Sequence, residues 1–108
     1  MPGAEREKHR SLGYEFALER EARDHAAALD RRYTREEMPG LRVFRVRWNG
    51  NYLVEATFAE GVADSRVNDA RALLGESGVL VHPDDLIDYK RASGGGGMPG
   101  LFRRFFGG

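Results

Sequence analysis

Four side chains of the types that bind metal ions or transfer protons lie close together late in the chain. They are His82, Asp84, Asp85 and Asp88. Pro83 stands among them at a position typical of a helix start, and carboxylates in a first helical turn interact favourably with the helix dipole. We therefore interpret this cluster as the beginning of a helix, and expect neither a metal ion nor a cofactor there.

Nucleophilic catalysis is not indicated either. The chain contains no Cys. Its serines, Ser11, Ser65, Ser77 and Ser93, stand in no nucleophile motif. No paired-carboxylate signature and no phosphate-binding glycine loop occur. No catalytic residue can be assigned, and the sequence predicts that the protein is not an enzyme.

Arginines alternate with aromatic side chains in the middle of the chain, as they do on some nucleic-acid-binding sheets. The arginines are Arg42, Arg45 and Arg47, and the aromatic residues are Phe44, Trp48 and Tyr52. Alternation along strands places the two types on opposite faces, and we expect Arg45 to pair with Glu55. The whole chain has 17 basic and 17 acidic residues, so no global field attracts nucleic acid. Nucleic acid is therefore not the expected partner.

The sharpest functional feature is the segment 98–108, which follows a serine and four glycines at 93–97. The glycine run predicts a flexible tether. One turn of helix would gather four large apolar side chains on one side and two arginines on the other. The apolar residues are Leu101, Phe102, Phe105 and Phe106, and the basic ones are Arg103 and Arg104. Such a tail is suited to a membrane surface or to a groove on another protein.

A resemblance supports the first of these interpretations. The stretch Gly100-Leu101-Phe102-Arg103-Arg104-Phe105-Phe106-Gly107-Gly108 resembles the C-terminal membrane-targeting tails of the bacterial Min-system division ATPases. Those tails share the order of glycine, two large apolar residues, two basic residues, two large apolar residues and a closing glycine pair. The resemblance covers nine of the 108 residues. It implies that the apolar side chains dock at a membrane and that the arginines face lipid phosphates.

Two other resemblances keep alternatives open. Residues 102–106 resemble the apolar-x-x-aromatic-aromatic core of peptides that bind sliding clamps, which implies docking into a protein groove. Gly107 and Gly108 resemble the ends of ubiquitin-like and sulfur-carrier proteins. The main hypothesis is a non-enzymatic adaptor or scaffold in the cytoplasm, attached peripherally to a membrane by its tail. The alternative is a structural subunit of a virion or multi-protein complex whose tail docks on a neighbour, and a carrier protein is a minor one.

Residues 1–40 are charge-dense and predict one long amphipathic helix that ends at Met38-Pro39-Gly40. Its apolar stripe recurs at steps of three and four residues: Tyr14, Leu18, Ala22, His25, Ala26, Leu29 and Tyr33. A single short tail would bind a membrane only marginally, so we expect self-association to supply avidity. The residues assigned to self-association are Tyr14, Leu18, Leu29 and Tyr33, which predicts a homo-oligomer or a subunit of a complex.

Residues 41–92 predict a small α+β core packed against that helix. A change to period two indicates a β-hairpin with a three-residue loop, 49–51. Its predicted core-face pairs are Trp48 with Tyr52, Val46 with Val54, and Phe44 with Ala56.

The rest of this core is a helix, a strand and a second helix. The first helix is capped by Asp64 or Ser65, has a buried stripe of Val67, Ala70, Leu73 and Leu74, and ends at Gly75. A short strand at 78–81 and a helix from 83 to about 91 follow. The expected architecture is α+β, with a three-stranded sheet and helices on one face.

Overall fold

The structure, a computed structural model, describes residues 9–92. Its elements are β1 (His9–Phe16), α1 (Glu19–Arg32), β2 (Gly40–Arg45), β3 (Tyr52–Ala59), α2 (Asp64–Leu74), β4 (Val79–Val81) and α3 (Pro83–Ala92). The α+β class is confirmed, and α2, β4 and α3 lie where the sequence predicts them.

The strands form one four-stranded sheet in the order β2-β3-β1-β4, and each neighbouring pair is antiparallel. Strand β1 is central because it pairs with both β3 and β4. The order β-α-β-β-α-β with this sheet is the split β-α-β topology of ferredoxin-like domains, which defines a fold and not a function. The predicted three-stranded sheet is therefore wrong by one strand.

The missing strand comes from the region assigned to the long N-terminal helix. Residues 9–16 are the strand β1, and the helix begins only at Glu19. Along β1, Leu12, Tyr14 and Phe16 are buried on one face. These side chains alternate with Ser11, Gly13 and Glu15, so a period of two was present beneath the helical pattern. The prediction of one helix over 1–40 is wrong because residues 9–16 form a strand and the helix occupies only residues 19–32 of this region.

The hairpin exists, but its predicted register is wrong by three residues. Phe44 pairs with Leu53 and Arg45 with Tyr52. The loop between β2 and β3 is longer than the predicted three residues. The Val46 amide donates to the Asn51 carbonyl at 2.7 Å, and this hydrogen bond closes the loop around residues 47–50. Both faces of β2 are apolar, so side-chain alternation does not distinguish one register from another.

Helices cover both faces of the sheet, which corrects the expectation of helices on one face. Helices α1 and α2 pack on the first face over a core that includes Phe16, Leu29 and Phe58. Helix α3 packs on the second face, where Leu86 joins a smaller apolar cluster with Phe44, Val46, Leu53 and Val81. The domain thus has two cores that share one sheet.

Helix α2 begins and ends differently in detail. Ala63, not Asp64 or Ser65, occupies the N-cap position and makes no side-chain cap bond. The Asp64 carboxylate instead accepts a hydrogen bond from Arg10 at 2.5 Å, which ties α2 to β1. Gly75 ends the helix as predicted, and its amide donates to the Arg71 carbonyl.

Gly78, between α2 and β4, lies close both to Phe16 of β1 and to the end of α2. A Cβ atom built there would lie 2.7 Å from Phe16 Cζ and 2.8 Å from the Leu74 carbonyl oxygen. We predict that Gly78→Ala lowers the free energy of unfolding by about 1–3 kcal/mol, because the backbone of α2 must shift. Gly61→Ala is the matched control, since nothing lies within 4 Å of its added Cβ. Urea denaturation of both variants tests this, and equal stabilities would contradict it.

Candidate functional site

The residues predicted to bind a membrane or partner, Leu101, Phe102, Arg103, Arg104, Phe105 and Phe106, lie outside the described residues. The structure instead shows the element from which this segment continues. Helix α3 is the last described element and ends at Ala92, and the chain continues from it to the tail.

The residues predicted for self-association do not form one helical face. Tyr14 lies in β1, Leu18 at the N-cap position of α1, Leu29 within α1 and Tyr33 at its C-cap position. Tyr14, Leu29 and Tyr33 are buried in the core of their own chain, whereas Leu18 is 58% exposed. The proposed stripe is therefore a core, because its spacing arises from a strand followed by a helix. Self-association itself stays a prediction.

Helix α3 packs closely on the sheet through apolar contacts, at a position where the strand beneath it has no side chain. Gly13 in β1 is buried beneath Leu86, and a Cβ atom at Gly13 would lie 2.7 Å from Leu86 Cδ1. Val81 and Leu86 belong to the same buried cluster. The absence of a side chain at Gly13 thus lets the helix lie directly on the central strand.

The Glu15 carboxylate joins three parts of the molecule at the far end of α3. One of its oxygens accepts hydrogen bonds from the side-chain amides of Asn49 at 2.6 Å and Asn51 at 2.7 Å. The other accepts a hydrogen bond from the Tyr89 hydroxyl at 2.8 Å. Strand β1, the hairpin loop and α3 therefore meet at one carboxylate.

This arrangement shifts two pKa values in opposite directions. Partial burial raises the pKa of Glu15, but the hydrogen bonds from Asn51, Tyr89 and Asn49 together outweigh it and hold that pKa below its ordinary value of 4.5. Burial, together with the hydrogen bond to Glu15 and the charges of Glu15 and Asp85, raises the pKa of Tyr89 to about 12. At neutral pH the charged carboxylate and the neutral phenol are thus the stable pair.

Trp48 completes the attachment of α3 rather than the sheet core. Its ring meets the Tyr89 ring edge to face, with centroids 4.7 Å apart, and the side chain remains 53% exposed. The prediction that Trp48 is buried against Tyr52 is wrong, because the residue lies in the loop beyond the last strand pair. A large aromatic residue in a tight loop was the available signal for a contact outside the hairpin.

The arginines of the hairpin have different partners from those predicted. Glu55 lies opposite Arg42, with 3.9 Å between Arg42 Nη1 and Glu55 Oε1, so the expected Arg45–Glu55 pair is wrong. The Arg42 guanidinium also lies over the Phe44 ring, 5.1 Å from its centroid. Arg42 and Phe44 are two residues apart in β2 and therefore share one face, so the expectation that the arginines lie opposite the aromatic residues is wrong for Arg42.

The cluster at the start of α3 has the structural role that its sequence indicates. The Asp84 amide donates to His82 Nδ1 at 3.1 Å, and both side chains are exposed. Within residues 9–92, no three or more His, Asp or Glu side chains are grouped in a way that could hold a metal ion.

We compared the chain with family models, with curated proteins and with solved structures. No family model, no curated protein and no solved structure matches this chain. Among the described residues, no helix is both long enough and apolar enough to cross a membrane.

The titration of Glu15 gives a test of this attachment. Its pKa is lowered on folding, so its contribution to stability is fully present above the pKa of the unfolded chain and is lost as pH falls through the folded value. We predict that Glu15→Gln destabilises the domain by about 1 kcal/mol at pH 7 and flattens the fall in stability between about pH 5 and pH 3.

Glu60→Gln is the matched control, because Glu60 is exposed at the end of β3. Glu37 also has a lowered pKa, owing first to its hydrogen bond with the Thr34 backbone and then to Arg66, but it titrates in both variants and cancels. Urea denaturation across this pH range measures the difference. The same slope in both variants would show that Glu15 does not carry the effect.

Proposed function

We propose that this protein is a non-enzymatic adaptor or scaffold that is anchored to a membrane surface through the tail at 98–108. The observation that carries the proposal is that residues 9–92 form two apolar cores, one on each face of the sheet. Phe16, Phe44 and Phe58 are all fully buried within residues 9–92. We therefore infer that the three phenylalanines of the tail serve a surface outside these cores.

The position of α3 supports the same proposal. The helix is fixed to the sheet at Leu86, in its first half, and at Tyr89, nearer its C-terminal end. The chain continues from this attached helix to the tail. The tail itself combines large apolar side chains with arginines, the composition that binds interfaces of anionic lipids.

We predict that truncation after Ser93 leaves the thermal midpoint within about 2 °C of that of the full chain, because no described core requires the tail. Differential scanning calorimetry of the two proteins measures this. A loss of several degrees would show that the tail packs on the domain, and would contradict a tail displayed for a membrane.

Charge substitutions in the tail test membrane binding directly. Replacing Arg103 and Arg104 by Lys should preserve binding to vesicles that contain about 30% phosphatidylglycerol, whereas replacing both by Glu should abolish it. The reason is that an anionic membrane surface stabilises each nearby Lys or Arg by about 1 kcal/mol. Co-sedimentation of the full-length variants measures the bound fraction. The truncated chain is the negative control, and vesicle binding by that chain would overturn the assignment to the tail.

A specific observation favours the second candidate, a subunit of a larger assembly. Strand β4 is an edge of the sheet, and it exposes Val79 by 70% and Leu80 by 52%. An apolar edge strand without charged residues is a site at which other chains can pair. In this case Phe105→Leu should be severe for partner binding, because a groove selects shape, yet mild at a bilayer.

A further inference from the structure

The two edges of the sheet differ in how they are protected from pairing with another strand. The outer strand β2 carries Arg42 and Arg45, and Pro39, which has no amide hydrogen, comes just before it. Charged side chains and proline at an edge both oppose such pairing. The other outer strand, β4, is Val79–Val81 and carries no charge. The edge open to another strand is therefore β4.

The hydrogen-bond ladder fixes which way the backbone groups of each strand point. In an antiparallel sheet, successive residues direct their amide and carbonyl groups to opposite neighbouring strands. The Val46 amide donates to the Asn51 carbonyl, so the backbone groups of Asn51 point to the β2 side. Those of Tyr52 therefore point to β1, where its partner is Phe16. Glu15, one residue before Phe16, then directs its backbone groups to β4.

The same alternation identifies the outward-pointing groups of β4. Glu15 pairs with Val79, so the backbone groups of Val79 point to β1. Those of Val81, which pairs with Gly13, do the same. Leu80 lies between them and directs its amide and its carbonyl away from the sheet. Within residues 9–92, no hydrogen bond occupies either of these two groups. One residue of β4 thus offers a donor and an acceptor to another strand.

The side chains of β4 are apolar and exposed on both faces of the sheet. Leu80 pairs with Tyr14, whose side chain belongs to the core of the first face, so Leu80 lies on that face. Val79 lies on the second face with Val81, which belongs to the cluster beneath α3. Val79 is 70% exposed and Leu80 is 52% exposed. Both sides of the edge therefore carry apolar surface that residues 9–92 leave uncovered.

We propose that two copies of this chain pair antiparallel through β4 and join their sheets into one continuous sheet. A two-fold dimer brings the same strand of both copies together, so every contact of one residue with another occurs twice. The order valine, leucine, valine reads the same in both directions and meets this condition. Leu80 lies opposite Leu80 of the second copy, and Val79 lies opposite Val81 of the second copy. Each Leu80 amide donates to the Leu80 carbonyl of the other chain.

The size of this contact predicts a weak dimer. The strand is three residues long, whereas stable complexes bury about 800 Å² on each partner. We therefore expect a dissociation constant on the order of 10–100 μM. The pairing does not rest on the membrane proposal. A dimer would nevertheless carry two tails, and two linked tails bind a surface more strongly than one.

Sedimentation equilibrium of the full-length protein, without lipid, tests the pairing. The apparent mass should rise from the monomer value of 12.1 kDa toward twice that value as the concentration increases. A range from about 5 to about 500 μM covers the expected dissociation constant. A protein that stays monomeric at about 500 μM would overturn the proposal.

Opposite charges at position 80 test the two-fold register. Leu80→Lys and Leu80→Glu should each weaken the dimer by at least about tenfold, because each places two like charges directly opposite one another. An equimolar mixture of the two variants should dimerise again, since opposite charges then face each other. Ile87→Lys is the matched control. Ile87 is 58% exposed but lines a cleft with Ser11 of the inner strand β1, so this variant should dimerise like the wild type.

Amide hydrogen exchange in the wild type gives a test that needs no variant. The Leu80 amide should exchange several-fold more slowly at about 500 μM than at about 20 μM, because pairing protects it, while the Val79 amide is protected by β1 at both concentrations. Unchanged exchange at Leu80 would overturn the proposal.

The remaining outcomes are equally clear. Wild-type dimerisation of Leu80→Lys alone would overturn the proposal, and a mixture of the two folded variants that stays monomeric would do the same. Circular dichroism checks that both variants are folded. Truncation after Ser93 should leave the dimer intact, and its loss would show that the tail forms the contact instead. Failure of this pairing and failure of the membrane proposal are distinguishable, because none of these measurements contains lipid.

Discussion

The central position of β1 is the constraint on which the rest of the structure depends. This strand pairs with β3 over its whole length and with β4 over three residues. It borders both cores, since the Phe16 side chain lies in the core beneath α1 and α2, and Gly13 lies beneath Leu86 of α3. Every helix therefore packs on a sheet that β1 holds together, and a disruption of this strand would separate the two cores at once.

The sequence predicts the second half of the fold well and the first half poorly. Gly75 marks the end of α2 and Pro83 marks the start of α3. Both signals are local in sequence, so they also bracket the short strand β4. Strand β1 was missed because its charged flanks and the spacing from Tyr14 to Leu18 also fit a helix. The register of the hairpin was missed because α3, which buries Phe44 and Val46 on the second face, is far away in sequence.

The candidate sites differ in how visible they are in the sequence. The tail is a local pattern of nine residues, so composition and spacing alone reveal it. The burial of the Glu55 carboxylate, by contrast, requires the assembled sheet, and nothing near Glu55 in sequence indicates it. The attachment of α3 is partly predictable from the sequence. An isolated Trp in a loop indicates that the ring has a partner, but only the folded structure identifies that partner as Tyr89.

The direction of α3 has a mechanical consequence for a protein held by its tail. The helix meets Val81 and Gly13 first and reaches Glu15 and Trp48 near its end. A pull on the chain beyond Ala92 would load the Tyr89 contacts before those of Leu86. Force would then open the contacts one after another from the tail end, and α3 would peel away while the four strands stayed paired. Detachment of α3 from the second face would thus relieve the tension before the hydrogen bonds between the strands broke.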